Sequence, residues 1–87
     1  MQYVYIIKSI NSINIYIGFT ADLKRRVNQH NNGKPQSTKA NRHWRVVYYE
    51  AYSSKRDAFE REKQLKRFAK AYGQLKGRIK FSLLNEG

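Results

Sequence analysis

Cysteine is absent from this 87-residue chain, which excludes a disulfide framework and every thiolate metal site. Histidine is scarce, and His30 and His43 are too few for a His-rich metal site. Acidic side chains are scarcer still relative to basic ones: six Asp and Glu stand against eighteen Lys and Arg. No apolar stretch approaches the roughly 20 residues of a membrane span. The opening MQYVYIIKS has neither the basic lead nor the cleavage site of a secretory signal. These absences predict a soluble cytoplasmic protein without a membrane partner or a small-molecule cofactor. The length predicts one domain over residues 1–87, with one modest core and a surface groove rather than an enclosed cavity as its binding site.

What is present is positive charge. A formal net charge of +12 and a pI near 10.2 attract polyanions through counterion release, so nucleic acid is the expected partner, DNA or RNA. A membrane surface fits less well, because the basic residues do not collect on one helix face opposite Trp, Phe and Leu. A solvated basic surface without a partner is the plain alternative.

The runs Tyr3 to Ile10 and Ile13 to Gly18 are β-branched and aromatic and flank Asn11-Ser12, the pattern of a hairpin with a two-residue loop. Pairing Ile10 with Ile13 sets Tyr5 opposite Gly18 and Ile7 opposite Tyr16. Val4, Ile6, Ile10, Ile13, Ile15, Ile17 and Phe19 then form an aliphatic core face. On the other face Tyr5 and Tyr16 are diagonal neighbours beside open space at Gly18, or else simply pack beneath the next helix. Thr20 is the expected N-cap of a helix to about Asn31, on which Leu23, Arg26, Val27 and His30 share a face. The Gly-, Pro-, Ser- and Asn-rich segment from Asn32 to His43 reads as a loop suited to phosphate contacts. Trp44 to Ala51 reads as a third strand, and Ser53 or Ser54 as the cap of a long helix. The basic stretch after Gly73 reads as a short terminal helix or turn.

On that long helix Ala58, Glu62, Leu65, Ala69 and Tyr72 recur at spacings of four and three, which places a carboxylate inside an apolar stripe. A carboxylate there needs a partner: a metal, a ligand, or a salt bridge to a neighbouring Lys or Arg at the core edge.

Tyr3-Val4-Tyr5, then Tyr16-Ile17-Gly18, then Arg26 ten residues after Tyr16, closely resemble the GIY-YIG nuclease family. The match is nearest to its short stand-alone members and covers almost the whole chain, through VYII, YIGFT, DLKRRVNQH, WRVVYYE and SKRDAFEREKQLK in order. The first motif half has Tyr3 in place of its glycine. Phe19 stands where relatives in excision repair carry a lysine, and Gln74 is the nearest polar candidate for an asparagine seen downstream in some members. The resemblance implies an α+β fold, a small three-stranded antiparallel sheet flanked by helices.

The resemblance also implies catalytic roles for Tyr5, Tyr16, Arg26, His30 and Glu62, with Glu62 as the only protein ligand of Mg²⁺ or Mn²⁺. The implied activity is metal-dependent hydrolysis of a DNA phosphodiester, by an endonuclease or nickase in DNA repair or processing. Tyr16 would activate the water with Arg26 beside it, and Arg26 would grip the phosphate. Tyr5 and His30 would orient water and phosphate, with His30 as alternative base or leaving-group acid. Lys34, Lys39, Arg42 and Arg45 are the expected nucleic-acid contacts of a monomer or weak dimer. The rival is a non-catalytic module that binds DNA or structured RNA through those basic residues.

Overall fold

The structure is a computed structural model that describes residues 1–10, 12–34 and 43–84. Three strands form one antiparallel sheet in the order β2-β1-β3: β1 (Gln2–Ser9), β2 (Ile15–Thr20) and β3 (Trp44–Tyr52). Four helices complete the described chain: α1 (Leu23–Asn31), α2 (Lys55–Arg67), α3 (Ala69–Arg78) and α4 (Lys80–Leu83). The α+β class expected from the sequence is the class observed. None of the described helices is long and apolar enough to cross a membrane.

The hairpin register is the expected one, with Tyr5 opposite Gly18 and Ile7 opposite Tyr16. Its tip differs. The β1–β2 ladder ends at Lys8 and Ile15, Ile10 turns its N–H to the His43 carbonyl, and Ile10 and Ile13 are exposed rather than in the core. They lie beyond the end of the ladder, where the burial expected for them does not occur.

Both faces of the sheet are covered, so the period-two pattern separates two cores. Val4, Ile6 and Ile17 pack with Ala58 and Leu65 of α2 and Leu75 of α3. Tyr5, Ile7 and Trp44 pack on the opposite face with Tyr16, Val46 and Leu23 and Val27 of α1. A β-bulge separates the pairs Ile6–Tyr48 and Ile7–Val46. The inserted residue lets consecutive Val47 and Tyr48 both join the first core, while Val46 serves the second.

The N-cap of α1 is Asp22 rather than Thr20. The Asp22 carboxylate accepts from the Arg25 N–H, and the Thr20 hydroxyl accepts from the Asp22 N–H. A carboxylate two residues nearer the helix reaches the free amide of Arg25 directly. At the other end Gly33 takes φ 75°, its N–H donating to the His30 carbonyl and that of Lys34 to the Gln29 carbonyl, the paired bonds of a Schellman cap. Asn31 then bonds both backbone groups of Trp44, tying the end of α1 to the start of β3.

Ser54 caps α2 as expected, accepting from the Asp57 N–H. The long helix does not continue as one element: Phe68 is extended, with φ −110° and ψ 107°. Ala58 and Leu65 are buried on α2, whereas Ala69 is exposed on α3. The break turns α3 back so that Ala71, Tyr72, Leu75 and Ile79 reach the first core. The stretch after Gly73 completes α3 as far as Arg78 and then forms α4.

Candidate active site

Gly18 allows the site to assemble. An added Cβ would lie 2.5 Å from the Tyr5 hydroxyl, 2.7 Å from its Cζ and 3.0 Å from Cε1 of Tyr16. The space expected beside Gly18 is therefore filled by the Tyr5 ring itself. Tyr5 and Tyr16 converge as the register requires, ring centroids 6.3 Å apart.

His30 projects from α1 into the same cluster, fully buried. Its Nε2 shares a hydrogen bond of 2.9 Å with the Tyr5 hydroxyl, and its ring lies 4.8 Å from that of Tyr16. Burial, reinforced by the charge of Arg26, pushes the His30 imidazole down to about 4, so it is neutral at pH 7.

Arg26, one turn before His30, sets its guanidinium against both phenol oxygens and donates from Nη1 to Oε1 of Gln29 at 3.0 Å. Burial works against its charge, but the hydrogen bonds to the phenols more than offset this and raise it. Tyr5 moves up to about 12, chiefly through burial, with Tyr16 and Glu62 adding to the rise and Arg26 opposing it. Tyr5 therefore holds its proton across the physiological range. The influence of Glu62 on Tyr5 brings α2 into the same electrostatic neighbourhood as β1 and α1.

Glu62 occupies the edge of the apolar stripe between buried Ala58 and Leu65, with its side chain 16% exposed. Its partner is Lys66, one turn on, at a long 3.6 Å, so the salt-bridge expectation describes the free chain. Lys66 also stands 5.5 Å from the centroid of the Tyr16 ring. It was legible in the sequence as the i,i+4 neighbour of Glu62, and it returns a cation to Tyr16 where Phe19 supplies none.

The other part-buried carboxylate of the sequence motifs, Glu50, is fully committed. Glu50 on β3 accepts two bonds from Arg61, at 2.9 and 3.0 Å, and one each from the Tyr48 and Tyr52 hydroxyls. Burial would raise Glu50, yet Arg61 and the two phenols hold it below the ordinary carboxylate range. Of these two, Glu62 is therefore the carboxylate with coordination to spare. Among the described residues no group of three or more His, Asp or Glu could hold a metal on its own. One carboxylate, with phosphate and water oxygens supplied from outside, suits a hard cation such as Mg²⁺ or Mn²⁺.

Of the expected nucleic-acid contacts, Lys34 is exposed at the end of α1. Arg45 donates from Nη2 to the Ser82 carbonyl at 2.6 Å and so helps fasten α4 to β3. Lys39 and Arg42 lie outside the described residues.

Relatives extend the match along most of the chain. A UPF0213 protein of Staphylococcus saprophyticus is 33% identical over 87 residues, covering 99% of this chain and 96% of its own. A UPF0213 protein of Staphylococcus epidermidis is 39% identical over 70 residues, 79% of this chain and 84% of its own. One of Clostridium perfringens is 35% identical over 71 residues, 80% and 75% respectively. No solved structure gives a significant match. The GIY-YIG catalytic domain matches residues 1–76, and with the UPF0213 relatives it shows that this chain belongs to the GIY-YIG family.

Proposed function

We propose that the protein is a metal-dependent DNA endonuclease that nicks one strand at a time, acting as one domain in DNA repair or processing. The observation that carries this reading is the contrast between the two carboxylates. Glu50 is saturated by Arg61, Tyr48 and Tyr52, while Glu62, whose one contact among the described residues is the long one to Lys66, borders the Tyr5, Tyr16, Arg26 and His30 cluster.

Glu62 would hold Mg²⁺ or Mn²⁺ together with a substrate phosphate and water, and the ion would supply Lewis-acid charge at that phosphate. Arg26 reaches the phenol oxygens from α1 and can hold a non-bridging phosphate oxygen as negative charge develops. Tyr16, the less buried phenol, would give up its own proton to solvent and, as phenolate, take that of the attacking water, with Arg26 and Lys66 as flanking cations, while the leaving oxygen takes a proton from solvent water. Tyr5 keeps its proton and orients the oxygen beside it, and neutral His30 fixes the Tyr5 hydroxyl. One such site per chain suits nicking.

The test incubates supercoiled plasmid with the protein and Mg²⁺ or Mn²⁺, beside Glu62→Gln and Arg26→Ala. Glu62→Gln is expected to abolish nicking while DNA affinity stays nearly unchanged. Arg26→Ala is expected to slow it about a hundredfold, for loss of roughly 3 kcal/mol of transition-state stabilisation. Equal nicking by all three proteins would sink this assignment. DNA binding without nicking by any of them would favour the non-catalytic module.

A further inference from the structure

Three depressions adjoin one another along α1. The smallest, about 270 Å³, includes Arg25, Arg26 and Gln29 and so opens on the candidate active site. The next, about 390 Å³, shares Asp22, Arg25 and Gln29 with it and adds Lys24 and Lys34. The largest, about 600 Å³, shares Asp22, Lys24 and Asn28 with the second and is different in kind. Leu23, Val27 and Val46 line it, and Tyr3 and Tyr49 border it.

Those two tyrosines meet edge to face, centroids 5.8 Å apart and planes at 69°, and Tyr49 is 54% exposed. Tyr3 thus braces a ring that offers surface to solvent beside an apolar recess. A basic track beside an aromatic platform is the arrangement that holds a single strand, phosphates on the cations and a base on the ring. Asp22 at the junction is already engaged in capping α1, and Lys24, Arg25 and Lys34 are the exposed charges along the path. A second copy of the chain is a poor occupant, since closing the groove would bring two molecules of net charge +12 together.

We propose that the Tyr3–Tyr49 groove binds one unpaired nucleobase of a DNA strand whose phosphates cross Lys24 and Arg25 to the Arg26 site. This rests on the nuclease reading and narrows it: the substrate presents an unpaired nucleotide near the bond that is cut. A base stacked within a duplex cannot offer its face to Tyr49.

The test measures binding by fluorescence anisotropy in EDTA, so that no cleavage intervenes. The ligands are a labelled single-stranded oligonucleotide and the blunt duplex of the same sequence. Tyr49→Thr removes the ring and keeps a strand-favouring side chain, and Tyr49→Phe keeps the ring. Tyr49→Thr is expected to weaken single-strand binding roughly five- to hundredfold, the effect of losing one base–aromatic stack, with duplex binding within about twofold and Tyr49→Phe near wild type. A 2-aminopurine base placed in the oligonucleotide is expected to be quenched by the wild-type protein in the single strand and not in the duplex; this comparison decides the matter if Tyr49→Thr fails to fold. Unchanged single-strand affinity in Tyr49→Thr, equal losses on both ligands, or a wild-type dimer that Tyr49→Thr dissolves would each overturn the proposal. Cleavage is scored separately with Mg²⁺ or Mn²⁺, on supercoiled plasmid and on the labelled single strand. Neither being cut, with ring-dependent single-strand binding, would defeat the nuclease reading alone; cutting without ring-dependent binding would defeat the base site alone.

Discussion

Gly18 and His30 are where single atoms decide the site. The far end of Tyr5 is what a Cβ at Gly18 would strike, and that ring is fully buried, so it has no free space to yield into. Gly18→Ala is expected to cost about 1–3 kcal/mol by overpacking, read as a lower urea midpoint, and to reduce nicking further because Tyr5 is displaced. His30 gives a pH signature. Its folded imidazole titrates at about 4 against an ordinary 6.5, so between those values the unfolded chain binds more protons. Stability is therefore complete above pH 6.5 and falls as pH drops toward 4, by up to about 1.4 kcal/mol per pH unit. Glu50, held below the ordinary carboxylate range, is lost only at lower pH. Urea unfolding followed from pH 7.5 to 4.5 should show this slope in the wild type and a flat line in His30→Gln.

At the scale of elements, the Glu50–Arg61 pair clamps α2 to β3, and Arg61 is the residue immediately before Glu62. The clamp therefore sets the rotation of α2 that presents Glu62. Arg61→Met would leave the Glu50 carboxylate with its two phenols and no cation. Fully buried pairs lose about 3–5 kcal/mol when one partner is removed, and because both side chains here keep some exposure the expected loss is nearer 2 kcal/mol. Arg61→Lys should recover little, since an ammonium cannot make the two parallel bonds. An Arg61→Met protein as stable as wild type would refute the clamp. These elements were unequally legible. The hairpin register, the helix carrying Arg26 and His30, and the helix carrying Glu62 follow from side-chain period and the five ordered blocks. The bend at Phe68 does not, because no Gly or Pro marks it; it exists so that Leu75 can return to a sheet only three strands wide. The bulge at Val46–Tyr48 is equally silent, as its residues are ordinary strand formers. Glu50 reads in the sequence as part of a motif block, and only the four bonds it accepts reveal that it is spent.

For the whole molecule, charge dominates binding and geometry selects. Several cations are already engaged, Arg61 by Glu50, Arg45 by Ser82, and Arg26 by the phenols and Gln29. The formal charge therefore overstates how many side chains remain for phosphates. If Lys24, Arg25 and Lys34 carry a single strand, those three contribute roughly −2 to the slope of log affinity against log salt, at about −0.7 per phosphate. The double variant Lys24→Ala, Arg25→Ala should flatten that slope by about 1.4, and an unchanged slope would remove these residues from the path.

The middle place of β1 in the sheet has a consequence for how the chain acquires its structure. Gln2 closes its ladder only with Tyr52, and Val4 and Ile6 are covered only when Ala58 and Leu65 arrive on α2. During synthesis β1 thus waits, apolar and unpaired on one edge, until β3 and α2 have followed it. A partially made chain has a hairpin and α1 but no second layer beneath them, and α2, which carries Glu62, is the element that completes it. The candidate site and the closed core are finished by the same segment, so a chain that has not finished folding carries no assembled site.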